Sequence, residues 1–251
     1  MLSKRIIAAL DIQKGRVVKG IRFKDIKAVG DPVECAVEYE RQGVDEIVFL
    51  DITASHEKRE MLKDLAREIA SSINIPFTVG GGLQKPEEMV EVIKTGADKV
   101  FVNSAAVRHP HIIRQATEII GSANVCVAID AKRMGDGFKV FINGGRLNTG
   151  LDALEWVARV EALGAGEILL TSMDTDGVKQ GFDIELTAAV AGRVNIPVIA
   201  SGGAGSAGDF VEVFTETKAS AALAASIFHY GTVKIKNLKN KLERNGINVR
   251  Q

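Results

Sequence analysis

The chain repeats itself, and the repeat limits what it can fold into. Asn74-Ile75-Pro76 returns 121 positions later as Asn195-Ile196-Pro197, and Gly81-Gly82 returns at the same offset as Gly202-Gly203. Val90-Glu91-Val92 returns as Val211-Glu212-Val213, and Gly43, Glu46 and Ile47 return as Gly164, Glu167 and Ile168. Near the start the offset is 119, pairing Leu10-Asp11 with Ile129-Asp130. Several matches at one offset, each at the same place in its local pattern, mark two homologous halves. Whatever one half does with its apolar runs, the other does too.

Those runs are short and continuous: Arg5–Ile12, Glu46–Ile52, Pro76–Val79, Lys99–Val102, Asn124–Ile129, Glu167–Thr171, Pro197–Ala200 and Ala221–Ala225. Runs of this kind suit strands buried on both faces, as in a parallel sheet. Amphipathic stretches lie between them, among them Pro32–Gln42, Glu57–Ser72, Pro86–Thr95 and Leu151–Leu163. Pro32, Pro86 and Pro110 sit where a first helical turn accepts proline. Gly43, Gly96 and Gly164 sit just past helix ends. Eight strands, each followed by a helix, predict an α/β fold: one (β/α)8 barrel domain over residues 1–251, built from two half-barrels. An open doubly wound sheet is the alternative, and the repeat favours the closed barrel.

Charge and cysteine usage narrow the partners. Lys plus Arg and Asp plus Glu each number 32, so the formal net charge is zero. Nucleic acid is therefore not expected as a partner, because counterion release needs a basic face. No uncharged run is long enough to span a bilayer, and Met1 to Arg5 does not open a signal peptide, since Asp11 ends the short apolar stretch. Two isolated cysteines, Cys35 and Cys126, make no disulfide framework. His109-Pro110-His111 has no third ligand nearby, so no metal site is expected, and neither is a cofactor. A soluble cytoplasmic protein is the plain expectation.

Asp11 and Asp130 end the first and fifth strands. In a barrel of this type the C-terminal strand ends form the active face, and strands one and five are diametrically opposed. Two carboxylates then face each other across the mouth, which suits one acid and one base acting on opposite sides of a substrate. Each Asp read alone could instead cap a loop or pair with Lys14 or Lys132. Gly80-Gly81-Gly82 follows the third strand and Gly202-Gly203 the seventh, where backbone N–H groups and a following helix N-terminus can meet an anion. Asn103-Ser104 and Ala225-Ser226 supply further donors at the ends of strands four and eight. Thr171 ends strand six, and Asp176-Gly177 stands in the loop after it. Lys19, in the long segment after strand one, places a cation near a phosphate, and that segment is expected to be a lid or a solvated loop. Candidate substrate and phosphate residues are thus Lys19, Gly82, Asn103, Ser104, Thr171, Asp176, Gly177, Gly203, Ala225 and Ser226. Two anion sites with two carboxylates between them imply an elongated substrate with a phosphate at each end. Gly203-Ala204-Gly205-Ser206-Ala207-Gly208 also satisfies the dinucleotide pattern, but too little chain follows for a nucleotide-binding half, and no acidic residue ends the next strand.

These residues carry a resemblance. Lys4-Arg5-Ile6-Ile7 leading to Asp11, Gly15-Arg16-Val17-Val18-Lys19-Gly20, Phe49-Leu50-Asp51-Ile52-Thr53-Ala54-Ser55 and Phe77-Thr78-Val79-Gly80-Gly81-Gly82 are four of its motifs. Ala128-Ile129-Asp130-Ala131-Lys132-Arg133, Asn148-Thr149-Gly150 and Ala200-Ser201-Gly202-Gly203-Ala204-Gly205 are the others. From Lys4 to Arg250 the chain closely resembles the HisF family, the cyclase subunit of imidazole glycerol phosphate synthase in histidine biosynthesis. The sister isomerase of that pathway shares the paired aspartates but lacks the Val-Val-Lys-Gly and Ala-Ile-Asp-Ala-Lys combinations. A phosphate-binding barrel without catalysis is the other alternative, and the intact Asp11 and Asp130 argue against it.

The resemblance implies a reaction. A bisphosphorylated ribulosyl-formimino-carboxamide nucleotide and ammonia become imidazole glycerol phosphate and an aminoimidazole carboxamide ribotide, with Asp11 and Asp130 as acid and base. It also implies a glutaminase partner docked on the N-terminal barrel face, from which ammonia enters. Arg5, Ile7, Ala9 and Asp11 alternate and so share the barrel interior, with Arg5 at the bottom. Glu46, Lys99 and Glu167 begin strands two, four and six at that level. The family uses such a ring as the ammonia entrance. Two departures stand out: Ala9 replaces a common Cys, and Phe101 shares parity with Lys99 and points a bulky ring inward.

Overall fold

The computed structural model describes residues 3–13, 16–21, 24–51 and 56–250. Strands are β1 (Arg5–Gln13), β2 (Arg16–Ile21), β3 (Lys24–Gly30), β4 (Glu46–Asp51), β5 (Phe77–Gly80), β6 (Lys99–Val102), β7 (Val125–Met134), β8 (Gly137–Ile142), β9 (Leu147–Asp152), β10 (Glu167–Ser172), β11 (Val198–Ser201) and β12 (Ala221–Ala224). Helices are α1 (Pro32–Arg41), α2 (His56–Ser72), α3 (Pro86–Lys94), α4 (Ser104–Arg108), α5 (His111–Ile120), α6 (Ala153–Ala162), α7 (Ile184–Arg193), α8 (Ala207–Glu216), α9 (Ser226–His229) and α10 (Ile235–Arg244).

Eight parallel strands close on themselves in the order β1-β4-β5-β6-β7-β10-β11-β12, with β12 returning to β1. This is the expected (β/α)8 barrel. The segment after the first strand, expected to be a lid or a solvated loop, forms in its described part β2 and β3: β2 pairs antiparallel with the outer end of β1, and β3 pairs antiparallel with β2. The second half does the same, with β8 and β9 extending β7. A backbone that leaves the barrel while still extended satisfies its N–H and C=O groups by adding strands.

The two halves superpose in detail as well as in outline. Asp31 caps α1 by accepting from Val33 N and Glu34 N, and Asp152 caps α6 by accepting from Leu154 N and Glu155 N. Glu40 accepts from Asn74 N at 2.7 Å, and its repeat partner Glu161 accepts from Asn195 N at 2.7 Å. Gly43, Gly96 and Gly164 follow the helix caps with φ of 86°, 109° and 97°, the left-handed geometry that ends a helix cleanly.

Strand parity divides the core in two. Ile6, Ala8, Leu10, Ile47, Phe49, Val127, Ile129 and their like face outward and pack under the helices. Ile7, Ala9, Val48, Phe101, Cys126, Ala128, Leu169, Ile199, Ala221 and Leu223 fill the interior. By register they stack in layers drawn from alternate strands. Val48, Phe101, Leu169 and Leu223 form a bulky layer, and above it Ala9, Gly80, Ala128 and Ser201 form a layer of small residues. Burial pushes the Cys126 thiol well up, so this cysteine is a packing group.

The base is tied shut by the C-terminus. Lys4 bridges to Val249, and Lys239 on α10 reaches Asp45 Oδ1 at 2.7 Å. The other Asp45 oxygen accepts from Ile6 N at 2.7 Å. Both partners of the ion pair are buried. Asp98 repeats the backbone half of this device, accepting from Phe77 N at 2.9 Å. Before β12 the matching residue is Ser220, whose hydroxyl instead donates to Val198 O at 3.1 Å.

Candidate active site

Asp11 and Asp130 lie inside β1 and β7 rather than at their ends, because both strands run on into the added ribbons. Asp11 is in register with Leu50 of β4 and Val18 of β2. Asp130 is in register with Thr171 of β10 and Phe141 of β8. Each therefore marks the level at which its strand leaves the barrel. Three strands lie between β1 and β7 in either direction, which sets the carboxylates on opposite walls.

The halves differ in what stands beside each carboxylate. Asn103 follows β6, next to β7, and its Nδ2 donates to Asp130 Oδ2 at 2.9 Å. The equivalent position after β12, next to β1, is Ala225, which has no polar side chain. The backbones there match: Asn103 has φ −124°, ψ −90° and Ala225 has φ −122°, ψ −72°, each turning sharply into a short helix. Desolvation pushes the Asp130 carboxyl up to about 6, the Asn103 hydrogen bond pulls it down, and the charge of Asp176 adds to the rise.

The segments between the glycine turns and the next helices have a repeated hydrogen-bond pattern. Gly205 N and Ser206 N donate to Asp209 Oδ2 at 2.7 and 2.9 Å. Gln84 N and Lys85 N donate to Glu88 Oε2 at 2.7 and 3.3 Å, the same device in the first half. In each half an acidic side chain from the first helical turn thus takes the two backbone donors just before the helix. Gly203 has a packing reason for lacking a side chain: at φ 103° its Cβ would fall 1.9 Å from Gly181 O. Gly181 N donates back to Gly203 O at 2.9 Å. Gly82 has φ 68° and Gly177 φ 74°.

The remaining candidates are also on this face. Ser104 opens α4, and its hydroxyl accepts from Asn143 N at 3.0 Å, tying the β8–β9 turn to the site. Ser226 opens α9, and Thr171 is half-buried opposite Asp130. Asp176 N donates to Ser172 O at 3.0 Å in the loop after β10. Lys19 falls on β2, and its side chain lies outside the described residues. Among the described residues no three His, Cys, Asp or Glu side chains gather as metal ligands, and no helix is long and apolar enough to cross a membrane.

At the opposite end Arg5, Glu46, Lys99 and Glu167 close a ring of alternating sign. Arg5 meets Glu46 at 2.7 Å and also meets Glu167. Lys99 meets Glu46 at 3.0 Å and Glu167 at 2.8 Å. Thr78 Oγ1, a member absent from the sequence reading, donates to Glu46 at 2.9 Å. The glutamates are buried, and the two cations are held charged: burial opposes this, but the facing carboxylates outweigh it and raise both pKa values. The glutamates are repeat partners, whereas the cations are not: Ala221 stands where the second half would match Lys99.

Comparison with known proteins agrees with this architecture. The family model described as histidine biosynthesis protein matches residues 5–234. A protein of Pyrococcus furiosus called imidazole glycerol phosphate synthase subunit HisF is 61% identical over 250 residues, covering 100% of this chain and 99% of that one. Proteins of the same name from Petrotoga mobilis and Clostridium botulinum are 60% and 54% identical, each aligned over 100% of both chains. The chain belongs to the histidine biosynthesis protein family and, within it, to the HisF subunits of imidazole glycerol phosphate synthase.

Proposed function

We propose that the chain is the cyclase of that synthase, converting the bisphosphorylated ribulosyl-formimino-carboxamide nucleotide and ammonia into imidazole glycerol phosphate and aminoimidazole carboxamide ribotide. The observation that carries the reading is the pair Asp11 and Asp130, placed on opposite walls where their strands leave the barrel. Addition of ammonia to a ketone forms a C–N bond and moves the C=O π electrons onto oxygen. That oxygen takes a proton from an acid, and the new ammonium nitrogen gives one to a base. Two carboxyls on opposite sides of the substrate supply both transfers, and ring closure needs the same pair again.

The phosphates fall to the twin strand ends, one to Gly82, Asn103 and Ser104, the other to Gly177, Gly203, Ala225 and Ser226, with Thr171 and Asp176 lining the space between and Lys19 the candidate cation for a phosphate. Backbone N–H groups at the β6–α4 and β12–α9 turns are among the donors this reading relies on. A glutaminase subunit docks on the N-terminal face, and ammonia enters through the ring of Arg5, Glu46, Lys99 and Glu167. The setting is the cytoplasm.

The test is turnover of the bisphosphate with free ammonium by the isolated chain. Asp11→Asn keeps the shape and removes the titrating group, so a loss of about 10²–10⁴ is expected, with a loss also for Asp130→Asn. Parent-like rates in both variants would remove the basis of this reading.

A further inference from the structure

We propose that the side-chain oxygen of Asn103 is the acceptor that receives ammonia beside Asp130, so that the Asn103 side chain binds the nucleophile and only its backbone N–H is left for a phosphate. The inference deepens the cyclase reading and rests on it.

The argument starts from one amide with two unlike ends. Nδ2 is committed to Asp130 Oδ2 at 2.9 Å. An ionised carboxylate only accepts, so it fixes which end of the amide faces it. The other end, Oδ1, is buried and meets no donor among the described residues. A buried carbonyl oxygen without a donor is costly, and such a group inside a site marks a place for a ligand N–H or O–H.

A phosphate does not answer that need. Its oxygens accept hydrogen bonds and repel a second acceptor, and the Asn103 donor is already engaged. Ammonia does answer it, since it has three N–H donors and one lone pair. One N–H given to Asn103 Oδ1 leaves the lone pair free to attack. Once the C–N bond forms, nitrogen carries a positive charge and must lose a proton. Asn103 cannot take it, but the Asp130 carboxylate bonded to the same amide can. The proton passes from nitrogen to Asp130 and the substrate oxygen is protonated from the other wall, so the step balances.

Placement along the barrel supports the assignment. Along β6 and the residue that follows it, Lys99 belongs to the charged ring, Phe101 to the apolar interior, and Asn103 to the mouth. Between ring and mouth the interior is lined largely by apolar side chains, Ile7, Val48, Phe101, Leu169, Ile199 and Leu223 among them. A small uncharged amine leaving those layers along β6 comes to the Asn103 carbonyl. The repeat sharpens the point, because Ala225 offers no such group beside Asp11. The two carboxylates are equivalent in fold, and Asn103 makes them inequivalent in chemistry.

The test uses the isolated chain, the bisphosphate substrate and ammonium chloride at fixed pH. Asn103→Leu keeps the approximate volume and removes the acceptor; Asn103→Ser, with a hydroxyl that can accept, is read alongside it and in its place if the leucine variant does not fold. The expected result is a rise of about three- to tenfold in KM for ammonium in Asn103→Leu, a smaller rise in Asn103→Ser, and a KM for the bisphosphate within about twofold of the parent. A rise confined to the bisphosphate KM overturns the proposal in favour of a phosphate contact. A fall in kcat with both KM values unchanged also overturns it, leaving Asn103 only to position Asp130. If the parent chain itself consumes no bisphosphate with ammonium, the cyclase reading fails, and the proposal fails with it for that separate and visible reason.

Discussion

The ring of Phe101 occupies the place a side chain on Gly80 would need: a Cβ built on Gly80 falls 2.5 Å from three atoms of that ring. Phe101 belongs to the bulky interior layer and leans up into the layer of small residues, where Ala9, Gly80 and Ala128 leave room. The aromatic ring and the missing side chain are one packing unit. Gly80→Ala is expected to destabilise the fold by about 1–3 kcal/mol through overpacking. Phe101→Leu should cost less in the Gly80→Ala background than alone. A double-mutant cycle from denaturant unfolding measures this, and strict additivity would show that the two positions do not share the space.

Asp130 gives a pH signature. Its carboxyl is raised to about 6 by desolvation and by Asp176, against the lowering effect of Asn103. The folded chain therefore binds this proton more tightly than the unfolded chain does. Its contribution to stability is present below the ordinary carboxylate range and is lost as pH rises through about 6. Asp130→Asn should be more stable relative to the parent at about pH 8 than at about pH 4, by an amount on the order of 1–3 kcal/mol. In the parent, turnover at constant free ammonia should fall as pH drops through about 6, and this limb should vanish in the variant. A stability difference independent of pH would mean that Asp130 titrates as an ordinary carboxylate.

What the sequence made legible follows from how strongly each signal depends on burial. The eight barrel strands are buried on both faces, so they read as apolar runs, and the repeat fixed their grouping. β2, β3 and β9 are of mixed composition and pair with irregular register, held by the strand beside them, so single-strand composition does not mark them. β8 was within reach, since Phe138, Val140 and Ile142 alternate with the spacing of a half-buried strand. The paired aspartates were visible from their place in the repeat. Asn103 was found as a polar residue after a strand, but its bond to Asp130 depends on β6 lying next to β7, which is a tertiary fact. Lys239 carried an overlooked sign: it falls on the apolar stripe of α10 with Ile235, Leu238 and Leu242.

That lysine leads to a stability prediction remote from the mouth. Lys239→Met removes the cation from Asp45 and leaves a buried carboxylate held by Ile6 N. The expected cost is about 3–5 kcal/mol, the range for breaking one side of a buried pair. Adding Asp45→Asn should recover part of it, because the remaining group is then neutral. Ammonium-dependent turnover per folded molecule should be unchanged. A melting curve with no shift in Lys239→Met would place the pair in solvent.

If the proposed function holds, the ring of Arg5, Glu46, Lys99 and Glu167 separates two routes for ammonia. On the proposed reading, dissolved ammonia reaches Asp11 and Asp130 from the C-terminal mouth without crossing the ring, whereas ammonia made by a glutaminase on the N-terminal face has to pass it. Lys99 holds both Glu46 and Glu167, and so does Arg5, so either cation alone still touches both anions. Lys99→Ala therefore opens the ring on one side while Arg5 keeps it from flying apart. The buried glutamates lose half of their compensation, and a stability cost of up to about 3–5 kcal/mol is expected, less where water replaces the ammonium group. Ammonium-dependent turnover of the isolated variant should stay near the parent value, because its carboxylates and Asn103 are untouched. With a glutaminase bound at saturation, the ratio of glutamine-dependent to ammonium-dependent turnover should fall, since ammonia delivered to a ring with unbalanced anions is captured as ammonium or lost to solvent. The measurement is that ratio, taken at a temperature where the melting curve shows the variant folded. An unaltered ratio in a folded, partner-bound Lys99→Ala protein would make the ring a structural clasp and send ammonia by another path.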